Sequence, residues 1–550
     1  MSEIGPRDER LGPGAWAALS ALPVVTAALA LLLGHAAGPF WLWPNIDPDY
    51  FYLFGALKIA TFESSGLIYH PGVPVQVLGA LVLKAMHPSA GGEALVAAVL
   101  GDPERHLRAV GGTFIVLNAL GQFALGWAGR RAMGSMAAAM LLQTAPLLSS
   151  LILKNAFHVK PEALLILATM ALIGVAVQSM RPGALEGRRF KFAVAFGAIA
   201  GFAGAIKVTA LPIFVLPLFV LATPATIGLY AAVGALSLVV FTLPIAQSYP
   251  MLAAWLGDVL RASGPHGHGG SAPFDAVAYA GEAFRMLRRP PMGVVFVLGL
   301  AMLALAAWRA RRGKAPPPAE IRLLAGTLLA QAAQAVVVAK QPWGQYMIPA
   351  YMLTALVLAT ILRLLPGVLP DRIAIRARVA AFGFVVVAAL AAGAGAGAAK
   401  LHREFRDIAA AARSLDNAKF ASCARIYFYA ASSPTFALYL ADRVVTVDSR
   451  NRQRHPGFSP FLKGRTGKDE FWLDDWWSPG RFALRDWSGE RSIVEVAAAH
   501  PCLMVRGERG RAPAVAGYLA KALPGRAFER TCSTEHEPVF THGVDCDGRR

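Results

Sequence analysis

The 550 residues are 55% hydrophobic and 16% charged, with a mean hydropathy of +0.47 and a formal charge of +19. A soluble protein of this size carries about a quarter charged residues, and here the apolar residues gather in blocks of bilayer-spanning length, about 20 residues each, so an ordinary soluble domain is excluded. The basic residues fall in short clusters between those blocks, a pattern of topology signals rather than of nucleic-acid binding.

The polar N-terminus leads into an apolar run at 15–33, read as an uncleaved first span because it is long for a signal peptide. Residues 34–108 form the first long loop, within which 73–86 is apolar but short and suits a helix lying in the interface. Further spans are predicted at 109–128, 132–153, 161–178, 192–206, 209–221, 227–245, 293–308, 321–339, 347–364 and 379–398. The two around Lys207 are short and read either as two spans or as one bent one; as two, they make the total about eleven transmembrane helices. The clusters Arg130-Arg131, Arg181 to Lys191, Arg309 to Lys314 and Arg363 to Arg378 then share one side, cytoplasmic by the positive-inside rule. The 34–108 loop, the 154–162 turn, the 249–289 loop, the 340–346 turn and everything after 399 share the other, and only an odd number of spans gives this agreement.

From residue 400 the chain changes character. Residues 401–415 read as helix, 425–429 as strand, 435–440 as short helix, 444–447, 492–496 and 502–505 as strands, and 515–523 as helix. Strands alternating with helices predict a small C-terminal extracytoplasmic α/β domain at 400–550, after a transmembrane domain at 1–399. All four cysteines, Cys423, Cys502, Cys532 and Cys546, lie in it, and an even number in an exported domain predicts disulfides. Three pairings are open, and without a Cys-x-x-Cys pair zinc is disfavoured.

The chemistry concentrates in residues 43–75. Asp47 and Asp49 stand among Trp41, Trp43, Tyr50, Phe51 and Tyr52, and His70-Pro71-Gly72 follows. Aromatic rings suit the membrane interface, and acids held there are costly unless they act. Glu162 opens the fourth span in Phe157-His158-Val159-Lys160-Pro161-Glu162; Lys207 stands alone between two apolar runs; Lys340 and Tyr346 bracket a late turn. Each also has a bland reading. Asp47 and Asp49 suit helix N-caps, Glu162 a helix dipole, His158 a polar interface residue, and Lys207 a snorkelling lysine. His266 and His268 read as part of a lid or linker, and Asp474-Asp475-Trp476-Trp477 as packing rather than a sugar platform. There is no Walker loop, dinucleotide fingerprint or Ser-His-Asp order.

An Asp-Pro-Asp loop after the first span, a His-Pro turn in the same loop, an acid at a helix start and an isolated lysine after Gly201–Gly204 resemble the GT-C glycosyltransferases that use polyprenyl-phosphate-linked sugars, among them protein O-mannosyltransferases and the aminoarabinose transferase of lipid A. Asp47 to Tyr52 is similar to the acidic loop motif, with Asp49 in place of an aromatic residue, and His70-Pro71-Gly72 to a His-Pro-Pro. The resemblance implies a GT-C-like polytopic α-helical fold in a bacterial inner membrane and transfer of a sugar from a polyprenyl-phosphate donor to a cell-envelope acceptor. Such a transfer needs a base for the acceptor hydroxyl, read as Asp47, with Asp49 as a second acid or metal ligand and Glu162 as a further acid. The resemblance sets Tyr52, His70, His158, Lys160, Lys207, Lys340 and Tyr346 around the donor, Lys207 meeting its phosphate. The partners are lipid-linked sugar and membrane lipid, not nucleic acid. No cofactor is required by the motifs, and a divalent cation at Asp49 stays open. The rival class is a transporter or flippase of lipid-linked sugars, disfavoured by the absence of related halves.

Overall fold

The computed structural model describes residues 12–42, 49–261, 275–313, 318–368, 375–414, 417–428, 433–446, 457–464, 469–474, 481–530, 532–534 and 537–546. Asp47, the segment 264–270 and Asp475 to Trp477 lie outside the described residues.

The chain enters through α1 (Pro13–Ala37). Three short helices follow, α2 (Asp49–Ala60), α3 (Val73–Met86, as expected) and α4 (Gly92–Gly101), before the long α5 (Pro103–Met133). Next come α6 (Met136–Gln143), α7 (Ser150–Asn155), α8 (Pro161–Gln178), α9 (Arg189–Ile206), α10 (Leu216–Leu221) and α11 (Pro224–Thr242). Two amphipathic helices, α12 (Tyr249–Arg261) and α13 (Ala276–Leu287), precede α14 (Met292–Arg311), α15 (Pro318–Val338), α16 (Ile348–Val368) and α17 (Ile375–Ser414). Among the described residues nine helices are long and apolar enough to cross a membrane: α1, α5, α8, α9, α11 running on towards α12, and α14 to α17.

The two remaining predicted spans are broken into short pieces, yet their neighbours show that each carries the chain across. Residues 136–155 run as α6, a 3-10 turn at Pro146 and α7, leaving the Arg130-Arg131 end of α5. They deliver His158 and Val159 to Asp49, whose neighbour Tyr50 bonds Glu104 at the opposite end of α5. The break is secured by buried amides. Gln143 Nε2 donates to the carbonyls of Leu19 (2.8 Å) and Gln122 (3.1 Å), and Gln122 Nε2 to the carbonyl of Gln143 (2.7 Å), so polar groups inside the bundle satisfy one another. Residues 208–221, with Pro212 and Pro217, are a 3-10 segment followed by α10. Here α9 and α11 run parallel: a side chain at Gly197 would meet Tyr230, and one at Gly201 would meet Gly234 and Ser237. Two parallel helices in sequence require the segment between them to return.

α17 runs unbroken for 40 residues, so the expected span at 379–398 and the expected helix at 401–415 are one element. Ala- and Gly-rich as it is, residues 388–399 contain no proline to stop it. Beyond it lies a six-stranded sheet of order β4-β3-β2-β1-β5-β6: β1 (Ala424–Phe428), β2 (Glu470–Asp474), β3 (Ala483–Asp486), β4 (Gly489–Glu490), β5 (Leu503–Gly507) and β6 (Val539–His542). β2 and β5 flank β1 in parallel; β3, β4 and β6 are antiparallel. Helices α18 (Pro434–Thr446), α19 (Ser459–Leu462), α20 (Ile493–Ala499) and α21 (Ala512–Ala522) complete the domain. Two predicted strands are helical. Val444 and Val445 finish the buried face of α18, and Ser492 starts α20 by accepting from the Glu495 N–H (3.4 Å), so a Ser-x-x-Glu start overrides β-branched Ile493 and Val494. The disulfides are Cys423–Cys502 and Cys532–Cys546.

One face of the sheet packs Ile426, Leu473 and Val505 against α20 and α21. The other, with Tyr427, Trp472 and Met504, continues into the core of the membrane part through α18 and α2. The Gly66 N–H donates to the Val445 carbonyl (3.1 Å), Phe54 meets Phe458 at 5.5 Å, and the Lys58 ammonium lies 4.5 Å from the Phe458 ring centre.

Candidate active site

Eleven of the twelve residues of α2 are buried, which a short helix tolerates only as part of a core. Its first residue is Asp49, wholly buried. Asp49 Oδ2 accepts from His158 Nδ1 at 2.9 Å, and Oδ1 accepts from the Val159 N–H. Burial pushes the Asp49 carboxyl up, but the His158 ring, the Lys160 ammonium and the Val159 N–H outweigh it and hold it below the usual carboxylate range. His158 moves down from its ordinary value because burial outweighs the attraction of Asp49. The imidazole is therefore neutral near pH 7, with its proton on Nδ1 facing Asp49. Tyr50 donates to Glu104 Oε1 (3.0 Å), and the same carboxylate accepts from the N–H groups of Phe40 (3.0 Å) and Trp41 (3.3 Å), tying the end of the described segment 12–42 to the start of α2.

Three residues beyond His158, α8 starts with Pro161-Glu162. Glu162 Oε1 pairs with Lys207 Nζ, and both side chains are buried. Lys207 sits where α9 stops and the backbone extends, and its ammonium lies 4.3 Å from the Tyr346 ring centre. The same extended residue holds the His70 turn. Pro71 forms a β-bridge with Lys207, the Val208 N–H donates to the His70 carbonyl (2.8 Å), and the Gly72 N–H donates to the Ile206 carbonyl (3.1 Å). Gly72 has φ +69, and a Cβ there would come within 2.7 Å of the Tyr52 ring, so both the turn and Tyr52 require glycine. The His70 ring stands edge-on to Tyr346 (6.1 Å) and to Trp255 of α12 (6.0 Å).

Lys160 joins the two halves, its charge acting on both Asp49 and Glu162. It is 2% exposed, and its Nζ has no hydrogen-bond partner among the described residues. Asp49, Tyr52, His70, His158, Lys160, Glu162, Lys207 and Tyr346 thus form one buried cluster at the ends of α2, α8 and α9.

Lys340 stands apart. Its ammonium donates to the carbonyls of Val259 and Leu260 (2.8 Å for the latter), closing the C-terminus of α12, the helix that brings Trp255 to His70. Arg289, passed over in the sequence, supplies a further cation: its Nη1 lies 3.0 Å from where a Cβ on Gly344 would be, beside the Tyr346 turn. Glu104 also went unread, although an acid in the first turn of a helix after a proline is a visible signal.

Among the described residues no three His, Cys, Asp or Glu side chains gather as a metal site. Both Asp49 oxygens accept hydrogen bonds, and the charge of Lys160 also acts on the carboxylate. A groove between α5, α8 and α9 and a cavity at Gly34–Phe157 both lie outside the cluster.

No family model matches the sequence, and no curated protein does. Among solved structures, the chain is similar to ArnT from Cupriavidus metallidurans bound to undecaprenyl phosphate, at 15% identity and a TM-score of 0.44, covering 94% of this chain and 97% of that one.

Proposed function

We propose that this chain is a membrane glycosyltransferase that moves a sugar from a polyprenyl-phosphate donor to a lipid, glycan or protein of the cell envelope. The observation that carries this reading is the Lys160 ammonium: buried, without a hydrogen-bond partner among the described residues, and set where two buried carboxylates already have partners. Three N–H donors in such a place suit an anion entering from outside the protein, and a phosphate on a lipid can reach helix ends at the membrane surface. In the reaction, the bond from the anomeric carbon to the phosphate oxygen breaks and its electron pair leaves with the polyprenyl phosphate. A new bond forms from the acceptor oxygen to that carbon, and the acceptor proton passes to a base, for which Asp47 is assigned. Lys160 and the Lys207–Glu162 pair stabilise the departing phosphate; His70 and Tyr346 line its approach.

By the positive-inside rule the cluster and the C-terminal domain face the periplasm of a bacterial inner membrane. The test is transfer of labelled sugar by purified protein in lipid. The wild type should release free polyprenyl phosphate only when an acceptor is present, and Asp47→Asn should lower this by about a hundredfold or more, the scale of general-base loss. Intact donor crossing the bilayer without release would instead support a flippase.

A further inference from the structure

A separate cavity lies at the other ends of α8 and α9. It is a groove of about 660 Å³, of the size of small-molecule and lipid sites, with α8 as its floor and α5 and α9 as its walls. The floor at Gly174 is open, since a Cβ there would meet nothing within 4 Å. Outward residues of the walls, Trp127 (40% exposed) on α5 and Val194 (44% exposed) on α9, are apolar, so the groove opens towards acyl chains. Its lining contains no acid. It does contain Arg131 near the end of α5, Arg188 just before α9 and Lys191 in its first turn, and Gln178 at the end of α8. The Arg131 guanidinium lies 5.0 Å from the Trp127 ring centre. From Glu162 to Gln178 along α8 is about 24 Å, so this basic mouth is on the opposite side of the bilayer from the Lys160 cluster.

We infer that this groove is a binding site for an anionic phospholipid of the leaflet facing the basic helix ends. One acyl chain lies along the floor over Gly174, and the phosphodiester sits among Arg131, Arg188 and Lys191. A basic pocket between transmembrane helices, continuous with an apolar trough and free of acids in its lining, selects an anionic headgroup over a zwitterionic one. A belt of positive-inside charge alone would explain the cations, but not the trough beneath them.

Native mass spectrometry of the full chain, released from nanodiscs containing phosphatidylglycerol and phosphatidylcholine, tests this. The wild type should retain phosphatidylglycerol in about tenfold preference. The triple variant Arg131→Gln, Arg188→Gln, Lys191→Gln should lose the preference. Gly174→Leu, which fills open space and keeps every charge, should lose it too. No preference in the wild type, or a Gly174→Leu variant that binds phosphatidylglycerol as the wild type does, overturns the site. Thermal unfolding of each variant alongside separates loss of lipid from loss of fold. The outcome is independent of sugar transfer.

Discussion

Lys207 and Glu162 are 1% and 5% exposed and pair directly, so breaking the pair should be costly in a way that removing it is not. Lys207→Met leaves the Glu162 carboxylate buried without its cation. Glu162→Gln leaves a buried ammonium resting on the Tyr346 ring and little else. Either single change should destabilise the protein by about 3–5 kcal/mol, the scale for stranding one charge of a buried pair. The double variant strands neither and keeps the volume of both side chains, so it should return to within about 1 kcal/mol of wild type. The coupling between the sites is then about 5–10 kcal/mol if both singles sit in that range. Unfolding in lipid nanodiscs, followed by urea or heat, measures the cycle. Sugar transfer measured on the same samples should be lost in all three variants, because the double variant restores charge balance but not the cation. Additive losses of stability, or a Lys207→Met protein as stable as the wild type, would refute the description of a tightly coupled buried pair.

Acid should destabilise the fold in two stages. Folded His158 takes up its proton at a lower pH than in the unfolded chain, so below about 6.5 protons favour the unfolded state; Asp49, held below its ordinary value, adds stability above about 3.9 that is lost as pH falls through its folded value. Thermal midpoints between pH 8 and 4 should fall for wild type and flatten in the upper part for His158→Gln; identical slopes would contradict the assignment. Reducing Cys423–Cys502, whose partners are 79 residues apart, should cost about 4.5 kcal/mol, against about 3 kcal/mol for Cys532–Cys546 at 14 residues, on loop-closure entropy; urea unfolding of paired Cys→Ser variants ranks them, and the reverse order would argue against that account. Lys340→Ala should free the end of α12, speeding proteolysis between α12 and α13 and changing Trp255 fluorescence while leaving the Glu162–Lys207 pair in place; unchanged cleavage would mean that α12 is held by its apolar face alone.

Much of this was legible in the sequence because lipid leaves few choices. Apolar length located the spans; the side on which their ends face is an expectation from the basic clusters. Asp49, Glu162 and Lys207 stood out as charges that a membrane protein does not keep idly. Asp49 is the first residue of α2, but its carboxylate accepts from His158 and Val159 of a distant segment rather than capping its own helix. Less legible were pairings between distant segments. Nothing local tells that the His70 turn hangs from Lys207, or that Lys340 serves the carbonyls of α12. Broken spans misled only in outline, since Pro146, Pro212 and Pro217 end helices without stopping the crossing. In the C-terminal domain, β-branched pairs at Val444 and Ile493 looked like strands until their places on helices were set by Ser492 and by the buried face of α18. The partners of β2 and β6 come from far along the chain, which local pattern does not reveal.

The buried cluster is proposed to receive the phosphate of a lipid-linked sugar through Lys160. Binding of polyprenyl phosphate to the purified protein in nanodiscs, compared between wild type, Lys160→Met and Lys340→Ala, tests it most directly. Loss of a charged hydrogen-bond donor to phosphate is worth about 1.5–3 kcal/mol, so Lys160→Met should bind about ten- to a hundredfold more weakly while Lys340→Ala binds as the wild type does. Wild-type affinity in a folded Lys160→Met protein would contradict the account.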